Sequence, residues 1–215
     1  KQATGPVPVT MPGHNDQLSP YTQDVDKAQQ ALNAADYSVD EINEIGIEVA
    51  YVEGLPAERR TSLLLKENLS KLGITEVKIN ATQWANITSR ANKKDTTPHL
   101  TNVFVTAKYP SPDTFTYMMH HPSAFGSYQT LSWYTTPELQ NSLEKARKAS
   151  SREQRYQLYK EAQKIIVNAY PSIYLLDPLY RVGLNKSVGG FSYYGVLSYE
   201  RRYYYLYRKG KGRAK

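Results

Sequence analysis

Between residues 45 and 80 the hydrophobic period changes twice, and this limits the fold more than any other feature of the chain. Ile45, Ile47, Val49 and Tyr51 alternate with smaller or polar residues, which is the period of a strand. Pro56 then stands near the first turn of a helix, a position that leaves no hydrogen bond unmade. That helix carries Leu63, Leu64 and Leu69 to Leu72 and stops at Gly73. Thr75 to Asn80 alternates again, with Val77 and Ile79 on one side. A strand, a helix and a strand joined by short loops belong to α/β layering.

The rest of the chain extends this pattern. Gly5 to His14 holds three prolines in seven residues and must run extended, as a connector. Asp24 precedes a short amphipathic helix with Ala28, Leu32 and Ala35 on one face. Asp40-Glu41 with Glu44 reads as a solvated turn. Gln83 to Lys93 is predicted helical, with Trp84 and Ile87 three apart, and Thr101 to Ala107 is predicted to form a third strand through Val103 and Val105. Thr136 and Ser151 are candidate caps for two further helices, the second running to Asn168 and ending before Pro171. Ser172 to Leu176 is predicted to be a strand. Gly189-Gly190 marks the exit to a tyrosine-rich end with a terminal strand over Tyr203 to Tyr207. The expectation is an α/β fold with a mixed sheet flanked by helices.

Charge is unevenly placed along the 215 residues. Residues 201–215 hold seven basic groups and no acid, while residues 1–200 hold 20 of each sign. The net charge of +7 therefore belongs to the end of the chain and not to a basic face. Basic residues interleaved with Tyr203, Tyr204, Tyr205 and Tyr207 suit nucleic acid or another anionic polymer. The plainer reading, a terminal strand with a solvated basic tail at 208–215, is preferred, and nucleic acid is not the expected partner. Cysteine is absent, which removes disulfides, thiolate metal sites and a cysteine nucleophile together. No apolar run approaches the roughly 20 residues that span a bilayer.

Nothing in the sequence is arranged for bond making or breaking. No P-loop, dinucleotide fingerprint, HExxH or GxSxG occurs. His120 and His121 are adjacent, so they cannot share a face, and no acid lies four residues away to complete a metal set. Asp113 in Pro112-Asp113-Thr114-Phe115 reads as a helix cap in preference to a catalytic base. Neither metal nor cofactor is expected. Recognition remains. Lys108 to Trp133 is a long irregular stretch, and such stretches in compact domains are usually functional. With Tyr134 it offers Lys108, Tyr109, Tyr117, Tyr128 and Trp133, apolar walls with one cation, as ligand pockets commonly have.

The order of these segments resembles the C-terminal lobe of the peptide/nickel-type (family 5) extracellular solute-binding proteins of ABC importers. Gly5-Pro6-Val7-Pro8 with Met11-Pro12-Gly13 resembles the connector entering that lobe, and Asp26-Lys27-Ala28 with Ala31-Leu32 its first helix. Leu72-Gly73-Ile74-Thr75-Glu76-Val77 resembles its "L-G-I-x-V" unit, and Tyr109, Pro112-Asp113 and Phe115 its tyrosine, "P-D" and aromatic. Arg155, Tyr159, Ala162-Gln163, Ile165-Ile166 and Pro171-Ser172-Ile173-Tyr174-Leu175, the firmest stretch of the resemblance, are close to the family's "R-x-x-x-Y-x-x-A-Q-x-I-I … P-x-I-Y-L", and Val188-Gly189-Gly190-Phe191 resembles its "V-x-G-F".

The resemblance implies one lobe of a bilobal periplasmic-binding-protein-like fold that captures a peptide or peptide-like solute and docks on a membrane permease, without catalysis. In those terms residues 1–190 form the ligand-binding lobe, with a connector at 1–20, and 191–215 form a segment that in relatives returns to a larger N-terminal lobe. That N-terminal lobe is then a partner outside these residues, the location is extracellular or periplasmic, and membrane association runs through an N-terminal region not present here. Thr106, Lys108, Tyr109, Tyr128, Trp133 and Tyr134 are the expected ligand-binding residues. Many peptide-binding members carry "W-x-x-D-Y" where this chain reads Val105, Thr106, Ala107, Lys108, Tyr109. Their aspartate pairs with the peptide α-ammonium, so Lys108 reverses the local preference. Two like charges about 4 Å apart repel by around 1 kcal/mol in water and several times that at a protein surface.

Overall fold

The structure, a computed structural model, describes residues 1–179, 181–193 and 202–210. Its Cα atoms divide into two compact units: Lys1–Pro20, Thr106–Tyr117 and Pro137–Lys215 form one, and Tyr21–Val105 with Met118–Thr136 the other.

The second unit holds the α/β layer. Helix α1 (Val25–Asn33) begins where the Asp24 side chain accepts from the Lys27 amide. Helix α2 (Val39–Ile45) corrects the solvated turn expected at Asp40-Glu41: Ser38 and Glu41 close a reciprocal capping box that satisfies two amides otherwise left unbonded. Strand β1 (Ile47–Val52), helix α3 (Pro56–Ser70) and strand β2 (Val77–Thr82) then follow as the sequence predicts. Helix α4 (Trp84–Arg90) leads to strand β3 (Leu100–Asn102), and a short helix α5 (Tyr117–His120) lies further on. The sheet order is β2-β1-β3, and both pairings are parallel. Central strand β1 buries Val49, Ala50 and Tyr51 in succession, so both of its faces are covered, as the parallel arrangement requires. Val49, Ile74 and Val77 form a core cluster on which Leu32, Ile42, Leu65 and Leu69 pack.

Strand β3 is shorter than the predicted Thr101 to Ala107. Its end is set by Glu58 in the first turn of α3, whose buried carboxylate accepts from the amides of Val52 (2.9 Å) and Phe104. The Asn102 side chain donates to the Glu58 carbonyl at 2.8 Å. The backbone after Asn102 is drawn to α3 and leaves the ladder.

The first unit is built on helices α6 (Pro137–Lys148) and α7 (Arg152–Asn168), the latter capped by Ser151. Leu139, Leu143 and Ala146 are buried on α6, and Tyr159, Ala162, Ile166 and Val167 on α7. The proline-rich opening is fastened to α7: Gln163 accepts from the Asn15 amide at 3.1 Å and donates to the Gly13 carbonyl at 2.8 Å. Gly13 has φ 84°, and a Cβ there would lie 2.6 Å from Pro112 Cγ. The expected strand at Ser172 to Leu176 is reduced to a single antiparallel bridge between Leu176 and Gln2, because residues 1–3 supply one bridge on that side and no ladder. The terminal strand expected over Tyr203 to Tyr207 is replaced by a 3-10 turn at Tyr203–Tyr205, followed by an antiparallel pair of β4 (Val188–Gly189) and β5 (Tyr207–Arg208). The pairing brings Gly190 so close to the turn that a Cβ would sit 1.8 Å from the Tyr205 carbonyl oxygen. The expected return segment lies partly outside the described residues, at 194–201, and so does most of the basic tail, at 211–215.

Candidate functional site

In a parallel sheet the carboxyl ends of all strands share one edge, and ligands of α/β sheets bind outside that edge. Here the residues that follow it are apolar and exposed. Leu55 follows β1, Trp84 follows β2, and Phe104 and Val105 follow β3. With Tyr128, whose ring meets Trp84 edge-on at 5.1 Å, they are between 36% and 47% exposed. Glu58 holds the backbones leaving β1 and β3 beneath the start of α3, which fixes the rim. Burial pushes the Glu58 carboxyl up, and the Val52 and Phe104 amides oppose this by favouring the carboxylate. Further along the sheet, Arg90 grips Glu48 through two bonds of 2.7 and 2.6 Å, and Asn80 adds a third at 2.6 Å. The Arg90 bonds hold the Glu48 carboxyl down at about 2 against the opposing effect of burial.

The six sequence-predicted residues divide between the two units. Tyr128 joins the rim through Trp84, whereas Trp133 packs on Phe125 at 5.2 Å and donates its indole N–H to Thr97 Oγ1 at 2.9 Å. Trp133 adopts φ 50°, an uncommon backbone for a bulky residue, inside a segment that also contains the turn at Gly126. Tyr134 lies edge-on to His120 at 6.1 Å; His120 is fully buried, which pushes its imidazole down to about 4. Thr106, Lys108 and Tyr109 belong to the first unit. Lys108 is exposed and Thr106 half-buried.

Tyr109 leads to a polar hub that the sequence reading of Asp113 missed. Asp113 neither caps a helix nor faces solvent; the cap is Ser111, whose hydroxyl accepts the Asp113 amide at 3.3 Å. The buried Asp113 carboxylate takes Arg147 bidentately at 2.7 and 2.9 Å, the Tyr159 hydroxyl at 2.8 Å and the Tyr109 hydroxyl. Arg147 also stacks over the Tyr117 ring, 3.4 Å from its centroid. Burial alone would raise the Asp113 carboxyl, but Arg147, Tyr109 and Tyr159 outweigh it and hold it below the usual range. Burial and the adjacent carboxylate push both phenols up. Four donors on one carboxylate make a fastening for loop 106–117, not a general base. Among the described residues no three metal-ligating side chains come together.

These features define a class first: a parallel α/β layer of the periplasmic-binding-protein kind, with a hydrophobic rim at its strand ends. The chain belongs to the bacterial extracellular solute-binding proteins of family 5, whose middle segment matches residues 1–127. It is 26% identical over 197 residues to the probable D,D-dipeptide-binding periplasmic protein DdpA of Escherichia coli, covering 92% of this chain and 37% of that protein. It is 25% identical over 202 residues to heme-binding protein A of Haemophilus influenzae, covering 90% of this chain and 36% of that one. The Helicobacter pylori periplasmic binding protein DppA in complex with the peptide STSA superposes with a TM-score of 0.74 at 23% identity, over 97% of this chain and 39% of that one. The chain thus spans little more than a third of the length of these relatives.

Proposed function

We propose that the chain is the ligand-binding lobe of a receptor that captures a peptide or peptide-like solute for an ABC importer, binding its solute without converting it. Residues 1–190 form the lobe, entered through 1–20, and residues 191–215 return to an N-terminal lobe elsewhere in the receptor. The receptor works outside the cytoplasmic membrane, held there through its N-terminal region, and hands its load to a membrane permease after the lobes close. The observation that carries this reading is the exposed rim of Leu55, Trp84, Phe104, Val105 and Tyr128 at the carboxyl edge of the sheet, in a chain of a solute-binding family. Trp133 and Tyr134 extend the aromatic supply in the same unit. Thr106, Lys108 and Tyr109 continue the chain directly from the rim. Lys108 sets the preference: it favours a solute with an anionic or neutral group over one with a free ammonium at that point.

The test is thermal unfolding of the two-lobe receptor with free-amine peptides, N-acetylated peptides, acidic peptides and oligosaccharides. A ligand at about 100 times its Kd adds roughly 2.7 kcal/mol. Stabilisation by acidic or blocked peptides, transferred to free-amine peptides by Lys108→Asp, is the expected result. No stabilisation across the panel would overturn the reading.

A further inference from the structure

Helix α3 opens without a side-chain cap, although its first turn holds an acid able to supply a capping bond. Its N-cap residue is Leu55, and Glu58 stands at the position from which a glutamate usually folds back to the N-cap amide. Glu58 reaches to the sheet instead. Its carboxylate accepts from the Val52 amide at 2.9 Å, where β1 ends, and from the Phe104 amide, where the chain has left β3. Leu55 is tied to the first of these, its amide donating to the Val52 carbonyl at 3.3 Å. Glu58 is 2% exposed, whereas the Leu55 and Phe104 side chains are 39% and 47% exposed. One buried carboxylate thus holds the backbone of two rim residues that meet only through the sheet. Its other neighbours are the Ser62 hydroxyl from α3 and the Asn102 side chain from β3, which donate to the Glu58 carbonyl at 2.9 and 2.8 Å and do not ionise. No charged side chain among the described residues acts on the carboxylate.

We infer that Glu58 is a positioning residue of the solute site, its carboxylate setting where Leu55 and Phe104 stand against an apolar solute. This rests on the receptor reading above and adds to it the residue that sets the rim's spacing and its response to pH. A carboxylate only accepts hydrogen bonds, whereas a carboxylic acid or a carboxamide turns one of its two polar groups into a donor. Proton uptake, or replacement by glutamine, therefore weakens the hold on one of the two backbones. Burial pushes the Glu58 carboxyl up, so uptake begins above the ordinary glutamate value of about 4.3, where Glu48 and Asp113 are still ionised. The effect on the fold has the opposite sign. A raised carboxyl binds its proton more tightly folded than unfolded, so this protonation adds to stability as pH falls toward the unfolded value. Solute affinity falls where stability does not, a combination that a purely structural role excludes.

The test compares the full-length receptor with its Glu58→Gln variant. Binding of an N-acetylated trileucine peptide, Tm, and hydrogen exchange corrected for its intrinsic pH dependence are followed from about pH 8 to about pH 4.5, a window above the ordinary glutamate value. In the wild type the peptide should bind roughly ten-fold more weakly at the acid end, the scale of one lost bond to a charged group. Residues 52–55 and 103–105 should exchange faster there, while residues 77–80 of β2 keep their protection. Wild-type Tm should not fall relative to the variant over the same range. Glu58→Gln should bind weakly throughout and lack the acid step. Equal affinity and exchange in the two proteins would overturn the inference, and so would an acid step that persists in the variant or a loss of affinity matched by a fall in Tm. If the variant does not fold, the wild-type profile decides alone: the two segments loosen together at unchanged Tm, or the inference fails. The receptor reading is scored separately. Loosening of both segments with no solute bound across the panel leaves Glu58 assigned to the rim and refutes the receptor, whereas peptide binding indifferent to pH and to Glu58→Gln refutes this assignment alone.

Discussion

Asp113→Ala removes the common acceptor of four donors, and its cost can be worked from the geometry. A hydrogen bond to a charged group contributes about 1.5–3 kcal/mol net, and a buried donor left without an acceptor costs about 1–3 kcal/mol. Tyr159 is 1% exposed and loses its acceptor with no route to water. The Arg147 side chain is 43% exposed, so solvent takes over much of what its ion pair supplied. Removing a buried carboxylate also relieves its own desolvation, which keeps the total below the sum of the bonds. The expected loss is about 3 kcal/mol, the lower end of what breaking a buried pair costs. For a chain of this size that is roughly 6–12 °C in Tm. Urea unfolding at pH 7 measures it directly. Because the folded carboxyl titrates below its usual value, the contribution is fully present above the unfolded aspartate pKa of about 3.9 and disappears as pH falls through the lower folded value. The gap between wild type and Asp113→Ala should therefore be flat from neutral pH to about pH 4 and shrink below it. A loss under about 1 kcal/mol, or a gap constant through the acid range, would refute the argument that these donors hold an ionised Asp113.

Arg90→Met removes the clamp that holds Glu48 at about 2, and should cost about 1–2 kcal/mol at neutral pH in urea unfolding. That cost should fade as pH drops from the unfolded glutamate value of about 4.3 toward 2, since only the ionised carboxylate gains from Arg90. Gly13→Ala should lower stability by about 1–3 kcal/mol, because the residue must hold φ 84° with its new Cβ 2.6 Å from Pro112; a urea midpoint equal to wild type would show that the opening segment gives way freely.

Elements that depend on their own residues were legible in the sequence. Asp24 and Ser151 cap the helices they precede, Pro56 opens α3, and the alternation from Ile47 to Tyr51 is β1. Helix α2 was legible too and was missed, since Ser38 and Glu41 stand at the capping-box spacing. The rim was beyond local reading. Trp84 shows up in the sequence as one face of a helix, and its exposure beside Phe104 and Leu55 follows from β1 lying between β2 and β3, which no short window encodes. β3 stops at Asn102 because Glu58, more than 40 residues earlier, captures the chain. Asp113 looked like a cap because its neighbours in sequence are proline and threonine; its partners Arg147 and Tyr159 arrive 34 and 46 residues later.

The fastening of the opening segment to α7 also sets a clock. Asn15 meets Gln163 across 148 residues of chain. On a ribosome adding about 5–20 residues per second, residues 1–20 wait roughly 7–30 s before their partner helix exists. During that interval the second unit can complete α1 through β3 from one continuous stretch, while the first unit stays open until α7 has been made. Synthesis order thus keeps the proline-rich opening waiting for α7, although α1 through β3 are translated after it.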